Sequence, residues 1–160
     1  MHLCSALEVM AAIEQEIKQK KFANELVKAN VNLMFTANWL SNRISSLLKP
    51  HNLTHEQFNV LRILKGSHPT KMCQKDILSR MIAPNSNLTL LIKKLKDKNL
   101  ITVLQSDRDK REYEIAISVQ GLALLLEIEP LLQARITEFN QLDESEALTL
   151  NALLDKLRGS

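Results

Sequence analysis

Apolar residues recur along most of this chain at helical spacing. Phe22, Leu26, Ala29, Leu33, Ala37, Leu40, Ile44 and Leu47 step by threes and fours with no Gly or Pro between them. This heptad-like stripe predicts one long helix that ends before Pro50. Ahead of it, Leu3, Leu7, Met10, Ile13 and Ile17 keep the same spacing, so a short leading helix is expected before a polar, mostly basic break at 18–21. Thr54 followed by Gln57 has the form of a capping box, opening a helix with Phe58, Leu61 and Leu64 inward and a stop near Gly66. A third helix carries Cys73, Ile77, Leu78 and Met81 on one face until Ala83 and Pro84 interrupt it; Asn85 or Ser86 can cap the next. In that next helix Leu88, Leu91, Ile92 and Leu95 form the core side, and Ser86, Leu90, Lys93 and Asp97 point away. Asn87, Lys94 and Lys98 flank the outer row on one side, Thr89 and Lys96 on the other.

After Leu100 the period falls to two. Ile101 and Val103 precede a polar run from Gln105 to Arg111, and Tyr113, Ile115 and Ile117 alternate with Glu112, Glu114 and Ala116 behind it. This is a hairpin with a charged tip. A helix from about Val119 to Asn140, kinked at Pro130, follows with Leu125, Ile128, Leu132, Ile136 and Phe139 in register. The last helix begins at Asp143, with Glu146 completing its cap, and presents Leu150, Leu153, Leu154 and Leu157.

Composition narrows the class. A chain of 160 residues with 3 Gly, 4% aromatics and 45% hydrophobics argues for a single, mainly α domain over 1–160 and against a β-sandwich or a Gly-rich nucleotide fold. Apolar runs such as Leu122–Leu126 fall far short of the roughly 18 to 20 residues of a membrane span. Glu8, Glu14 and Glu16 sit where a secretory signal wants basic and then apolar residues, so a cytoplasmic location is expected. Cys4 and Cys73 are too few for a disulfide framework. Charge is the more telling quantity. Residues 1–61 carry +1, residues 62–111 carry +8 and residues 112–160 carry −6, which together give the net +3. The middle third would attract an anionic polymer and the last third would repel it.

Three short helices, a hairpin with a basic tip, and a third short helix that starts with Ser, Asn and Thr describe a winged helix-turn-helix. A major groove about 12 Å wide admits one helix, whose first turns reach base edges. Ser86, Asn87, Thr89 and Leu90 occupy that end here. Asn can pair with adenine, hydroxyls suit base or phosphate, and an outward Leu can rest on a thymine methyl. Lys93 and Lys94 would meet flanking phosphates, and Arg108, Lys110 and Arg111 would carry the wing's contact. Asp109 among them would orient Arg111 through an ion pair, lowering the entropy lost on binding.

From Leu53 to Gly121 the order L-T-x-x-Q-F-x-V-L, Q-K-D-I-L-S-R-M, L-T-L-L-I-K-K-L-K-D-K-N-L-I, D-K-R and I-S-V-Q-G closely resembles the multiple-antibiotic-resistance regulator (MarR) family. Its most specific piece is Asp109-Lys110-Arg111, similar to the family's D-x-R wing signature, followed by Ile117-Ser118 and Gly121. The resemblance implies a homodimer built by helices at 22–49 and 119–158 around a DNA-binding core at 53–118, with residues 1–21 as an N-terminal extension helix. It implies double-stranded DNA as partner, on a pseudo-palindromic operator with half-sites about 34 Å apart. It further implies repression, relieved by a small aromatic or anionic effector, with Phe35, Trp39 and Phe58 as candidate lining; the same three would serve equally as ordinary core. Three departures stand out. Leu90 and Val103 occupy or adjoin positions where many relatives carry Arg, and Asn99 replaces the usual Gly, which is tolerable because Asn accepts left-handed backbone angles.

Other readings rest on less. Cys73, between Lys71 and Lys75, could serve a thiol-based redox sensor, although the first long helix has no cysteine near its start. A winged helix that only docks an acidic protein is the adaptor alternative. His51 and His55 straddle an expected helix boundary, which spoils a one-face metal pair. With no G-x-S-x-G, phosphate loop or H-E-x-x-H, no catalytic residue, metal or cofactor is expected.

Overall fold

The computed structural model describes residues 11–83, 87–106 and 111–159, which group into two compact units, 1–46 and 47–160. No helix among the described residues is long and apolar enough to cross a membrane. The first unit holds a single turn, α1 (Ile13–Glu16), and most of the long helix α2 (Glu25–Leu48). The spacing of Leu3 to Ile17 predicts a longer helix than α1. Residues 1–10 lie outside the described residues, and Ala12 is extended (φ −60°, ψ 151°), so no helix runs through it into α1. The long helix starts at Glu25, three residues later than the apolar stripe suggests. Asn24 Oδ1 accepts from the Val27 N–H at 2.9 Å, and this cap fixes the first turn where periodicity cannot. Lys28 reaches back to Glu14 at 2.5 Å and holds that carboxyl below its ordinary range. Toward its far end α2 gives way to a 3-10 turn, Lys49–His51, containing Pro50.

Within the second unit, that turn closes at Asn52 (φ 55°). α3 (His55–Ser67) opens with the capping box: Thr54 Oγ1 accepts from the Gln57 N–H, and Gln57 Oε1 accepts from the Thr54 N–H, both at 3.2 Å. α4 (Gln74–Arg80) and α5 (Leu88–Asp97) complete the three short helices. α3 packs against both, against α6 (Val119–Phe139) and against strand β2. Leu61, Leu64, Ile77, Leu95, Ile115, Leu125 and Ile128 are all at most 1% exposed at this meeting point. Burial of each such side chain is worth about 1.5 to 3 kcal/mol.

β1 (Ile101–Gln105) and β2 (Tyr113–Ile117) pair antiparallel, Ile101 opposite Ile117 and Gln105 opposite Tyr113. The inward row holds for Ile115 and Ile117, whereas Tyr113 at the outer end is half exposed. On its other edge β2 exchanges two backbone hydrogen bonds with Met72, which ties the loop before α4 to the hairpin.

The I-S-x-x-G run then has a structural reason. Ser118 caps α6: its hydroxyl accepts from the Gly121 N–H at 3.0 Å and donates to the Asn99 carbonyl at 2.7 Å. A Cβ on Gly121 would lie 2.2 Å from the Leu100 carbonyl oxygen, so only glycine lets α6 approach the end of α5 this closely. Asn99 adopts φ 59°, the left-handed conformation expected of the residue in glycine's place. α6 passes through Pro130 and ends at Phe139. α7 (Glu144–Arg158) carries the expected Asp143–Glu146 capping box, yet none of its side chains is buried.

Candidate nucleic-acid interface

α5 is strongly two-faced. Leu88, Ile92 and Leu95 are buried and Leu91 is half-buried, while Asn87, Thr89, Leu90, Lys93 and Lys94 are exposed. The helix therefore presents a short polar row at its start and ammonium groups further along. Asn87 stands at the N-cap, where its carbonyl accepts from the Leu90 and Leu91 N–H groups at 3.0 and 3.2 Å. Ser86, and the caps expected at Asn85 or Ser86, lie outside the described residues.

Two residues on this surface play roles that periodicity does not reveal. Thr89 donates its hydroxyl proton to Gln74 Oε1 at 3.3 Å, fastening the first turn of α5 to the first residue of α4. Gln74 thus belongs to the site, and its only sequence signal is its place at the start of the preceding helix. Lys98, expected on the flank beside Lys94, folds back instead. Its ammonium donates to the Asn52 carbonyl and to Gln57 Oε1, the latter at 3.1 Å. Burial, and then repulsion from Lys94, pull this ammonium below its ordinary range.

The hairpin is braced at its root. Ser106, 6% exposed, donates its N–H to the Glu112 carbonyl at 2.9 Å and its hydroxyl to Glu114 Oε1 at 3.5 Å. The other Glu114 oxygen meets Lys71 at 2.8 Å. Glu114, which strand alternation places among the outward residues, is therefore half-buried and spent on holding the wing against the loop before α4. Arg111 is exposed at the return into β2. Arg108, Asp109 and Lys110 lie outside the described residues, and with them the expected Asp109–Arg111 pair.

In the first unit, Phe35 and Trp39 are half-buried on α2, and the Arg43 guanidinium sits 4.5 Å from the Trp39 ring centroid. In the second, Phe58 is 3% exposed and belongs to that unit's core. His51 lies in the 3-10 turn, 3.6 Å from Glu127, and His55 starts α3, so the Thr54 cap does fall between them. Among the described residues no group of three His, Cys, Asp or Glu side chains could hold a metal ion. Cys73 is half-buried at the N-cap of α4.

Comparison with known proteins agrees with this geometry. The MarR family model matches residues 53–113. The HTH-type transcriptional regulator SarZ of Staphylococcus aureus is 27% identical over 104 residues, 65% of this chain and 67% of SarZ. Among solved structures, a mutant MarR from E. coli complexed with operator DNA superposes with a TM-score of 0.75 at 21% identity, covering 86% of this chain and 98% of that one. Bordetella bronchiseptica BpsR, whose DNA binding is regulated by 6-hydroxynicotinic acid, gives 0.73 at 20%, covering 82% and 98%. The solved structures share the winged-helix fold, and the match to the MarR family model falls on the stretch from the start of α3 to the start of β2, the helix-turn-helix and the wing.

Proposed function

We propose that this chain is a MarR-family transcription regulator that binds double-stranded DNA sequence-specifically as a homodimer, acts as a repressor, and is released by a small aromatic or anionic molecule. The observation that carries the DNA reading is the split of α5 into a buried apolar side and an exposed side bearing Asn87, Thr89, Leu90, Lys93 and Lys94. Asn87, Thr89 and Leu90 would read base edges, with Ser86 beside them. Lys93 and Lys94 would meet phosphates, and the wing residues Arg108, Lys110 and Arg111, with Asp109 as orienter, would hold the neighbouring backbone.

Dimerisation is supported by surface that one chain leaves uncovered. On α7, Leu148, Leu150, Leu153 and Leu157 are 71, 43, 58 and 57% exposed, and on α2, Leu26 and Met34 are 77 and 74% exposed. Apolar rows of this extent mark association surfaces. Release by an effector is supported by the regulation of BpsR by 6-hydroxynicotinic acid and by α2's own chemistry, an indole under a guanidinium, with Phe35 one turn earlier on the helix.

The test is fluorescence anisotropy with a duplex recovered from a randomised pool. If a dimer engages 6 to 10 phosphates, affinity falls on the order of 10³ to 10⁵ between 50 and 200 mM salt. Arg111→Ala should weaken every duplex alike, whereas Asn87→Ala should relax base preference by roughly 1 to 3 kcal/mol. Failure to retain any duplex in dilute buffer would overturn the proposal.

A further inference from the structure

Four lysines lie on or next to the outer side of α5, at positions 93, 94, 96 and 98, and by type alone each is a phosphate contact. The geometry separates one of them. Lys98 is half-buried, and its ammonium is committed to two acceptors 46 and 41 residues earlier in the chain, the Asn52 carbonyl and Gln57 Oε1. Neither acceptor is loose. Asn52 closes the 3-10 turn in a left-handed conformation, and Gln57 is 2% exposed, with the same oxygen already accepting from the Thr54 N–H in the capping box. The next residue along is fastened too, because the Asn99 carbonyl accepts from Ser118. The last turn of α5 is thereby held between the start of α3 and the start of α6, while Thr89 and Gln74 hold its first turn.

We propose that Lys98 is a positioning residue, which sets the angle of the reading helix by bolting its end to the start of α3 and makes no contact with phosphate. This rests on the reading of α5 as the helix that enters the groove. Without the ammonium, the last turn keeps the bond from Ser118 to the Asn99 carbonyl but loses its tie to the start of α3, so the helix can pivot and its first turn samples several poses over the bases. Removing the ammonium should therefore cost discrimination between sequences, whereas removing a phosphate contact costs affinity for all of them equally.

Two measurements separate these outcomes. The first uses Lys98→Met, which keeps the stem and removes the ammonium, beside Lys94→Ala, both read against a selected and a random duplex across a salt series. Lys98→Met should lower the ratio of selected to random affinity about tenfold, the scale of one good base contact, with an unchanged slope of log affinity against log salt. Lys94→Ala should lower that slope by about 1.8, roughly 0.9 for each protomer of the dimer, and leave the ratio intact. The second uses the wild-type protein and so does not depend on the variant folding: lysine acetylation with and without duplex, read residue by residue by mass spectrometry. Duplex should slow acetylation at Lys93 and Lys94 several-fold and leave Lys98 unchanged. Protection of Lys98 to the same degree as Lys94, a slope reduced in Lys98→Met, or an unchanged ratio in that variant overturns the inference while leaving DNA reading by α5 in place. A wild-type protein that holds no duplex removes both.

Discussion

Gly121→Ala is the sharpest test of how the end of α5 is joined to the rest of its unit. The new Cβ would sit 2.2 Å from the Leu100 carbonyl oxygen and 2.8 Å from Ile117 Cγ1. The first distance is more than about 1 Å short of an ordinary contact, and the obstacle is backbone, which cannot rotate aside. The start of α6 must retreat, which breaks the hydrogen bonds from the Ser118 hydroxyl to the Asn99 carbonyl at 2.7 Å and from the Ser118 N–H to the Leu100 carbonyl at 3.1 Å. Two such bonds contribute about 1 kcal/mol each. Crowding of Ile117 adds about 1 kcal/mol, and the better helix propensity of alanine returns about 1 kcal/mol. The net expectation is a loss of about 2 kcal/mol. With a urea slope of about 2 kcal/mol per molar, the midpoint of unfolding should fall by about 1 M at unchanged slope. A variant as stable as the parent, or stabilised as helix propensity alone would dictate, would refute the close approach.

Three further outcomes are expected. Asn99→Ala should destabilise by about 1 kcal/mol and Asn99→Gly should not, because the residue sits at φ 59°; chemical unfolding of the pair decides it. Glu56 is held below its ordinary value of 4.5 by the Thr54 hydroxyl and then by its own backbone N–H, so its contribution is present above that pH and is lost as pH falls through the lowered value. Wild type should thus exceed Glu56→Gln in stability by a few tenths of a kcal/mol at neutral pH, a gap that closes in acid; a gap independent of pH would contradict the assignment. Leu153→Asp combined with Leu157→Asp should yield a monomer by light scattering while circular dichroism stays helical, since neither side chain is buried within the chain; a persistent dimer would move the interface elsewhere.

Much of this architecture is legible in the sequence because it depends on short-range chemistry. Thr54 with Gln57 and Asp143 with Glu146 mark helix starts by the reach of one side chain over three residues, and both boxes form. Leu88, Ile92 and Leu95 face inward as their spacing requires. What escaped detection depends on reach across the sequence. Periodicity gives the direction in which Lys98 leaves its helix, but a four-carbon stem can turn back, and only the position of Asn52 and Gln57 shows that it does. Glu114 likewise alternates outward on paper and is drawn in by Ser106 and Lys71, 8 and 43 residues away. The start of α2 was obscured for a different reason: an apolar stripe continues smoothly through Phe22, while the end of a helix is decided by a polar cap, here Asn24.

The pairing of Met72 with Ile115, reinforced by Lys71 and Glu114, links the hairpin to the loop that launches α4. On the proposed reading, the strand that returns from one grip on a duplex is thus tied by two backbone hydrogen bonds to the loop just ahead of the helix pair that carries the other, like two jaws sharing one rivet. If an effector does release the protein from DNA as proposed, it would have to carry β2 and this loop along together or unzip the two bonds between Met72 and Ile115.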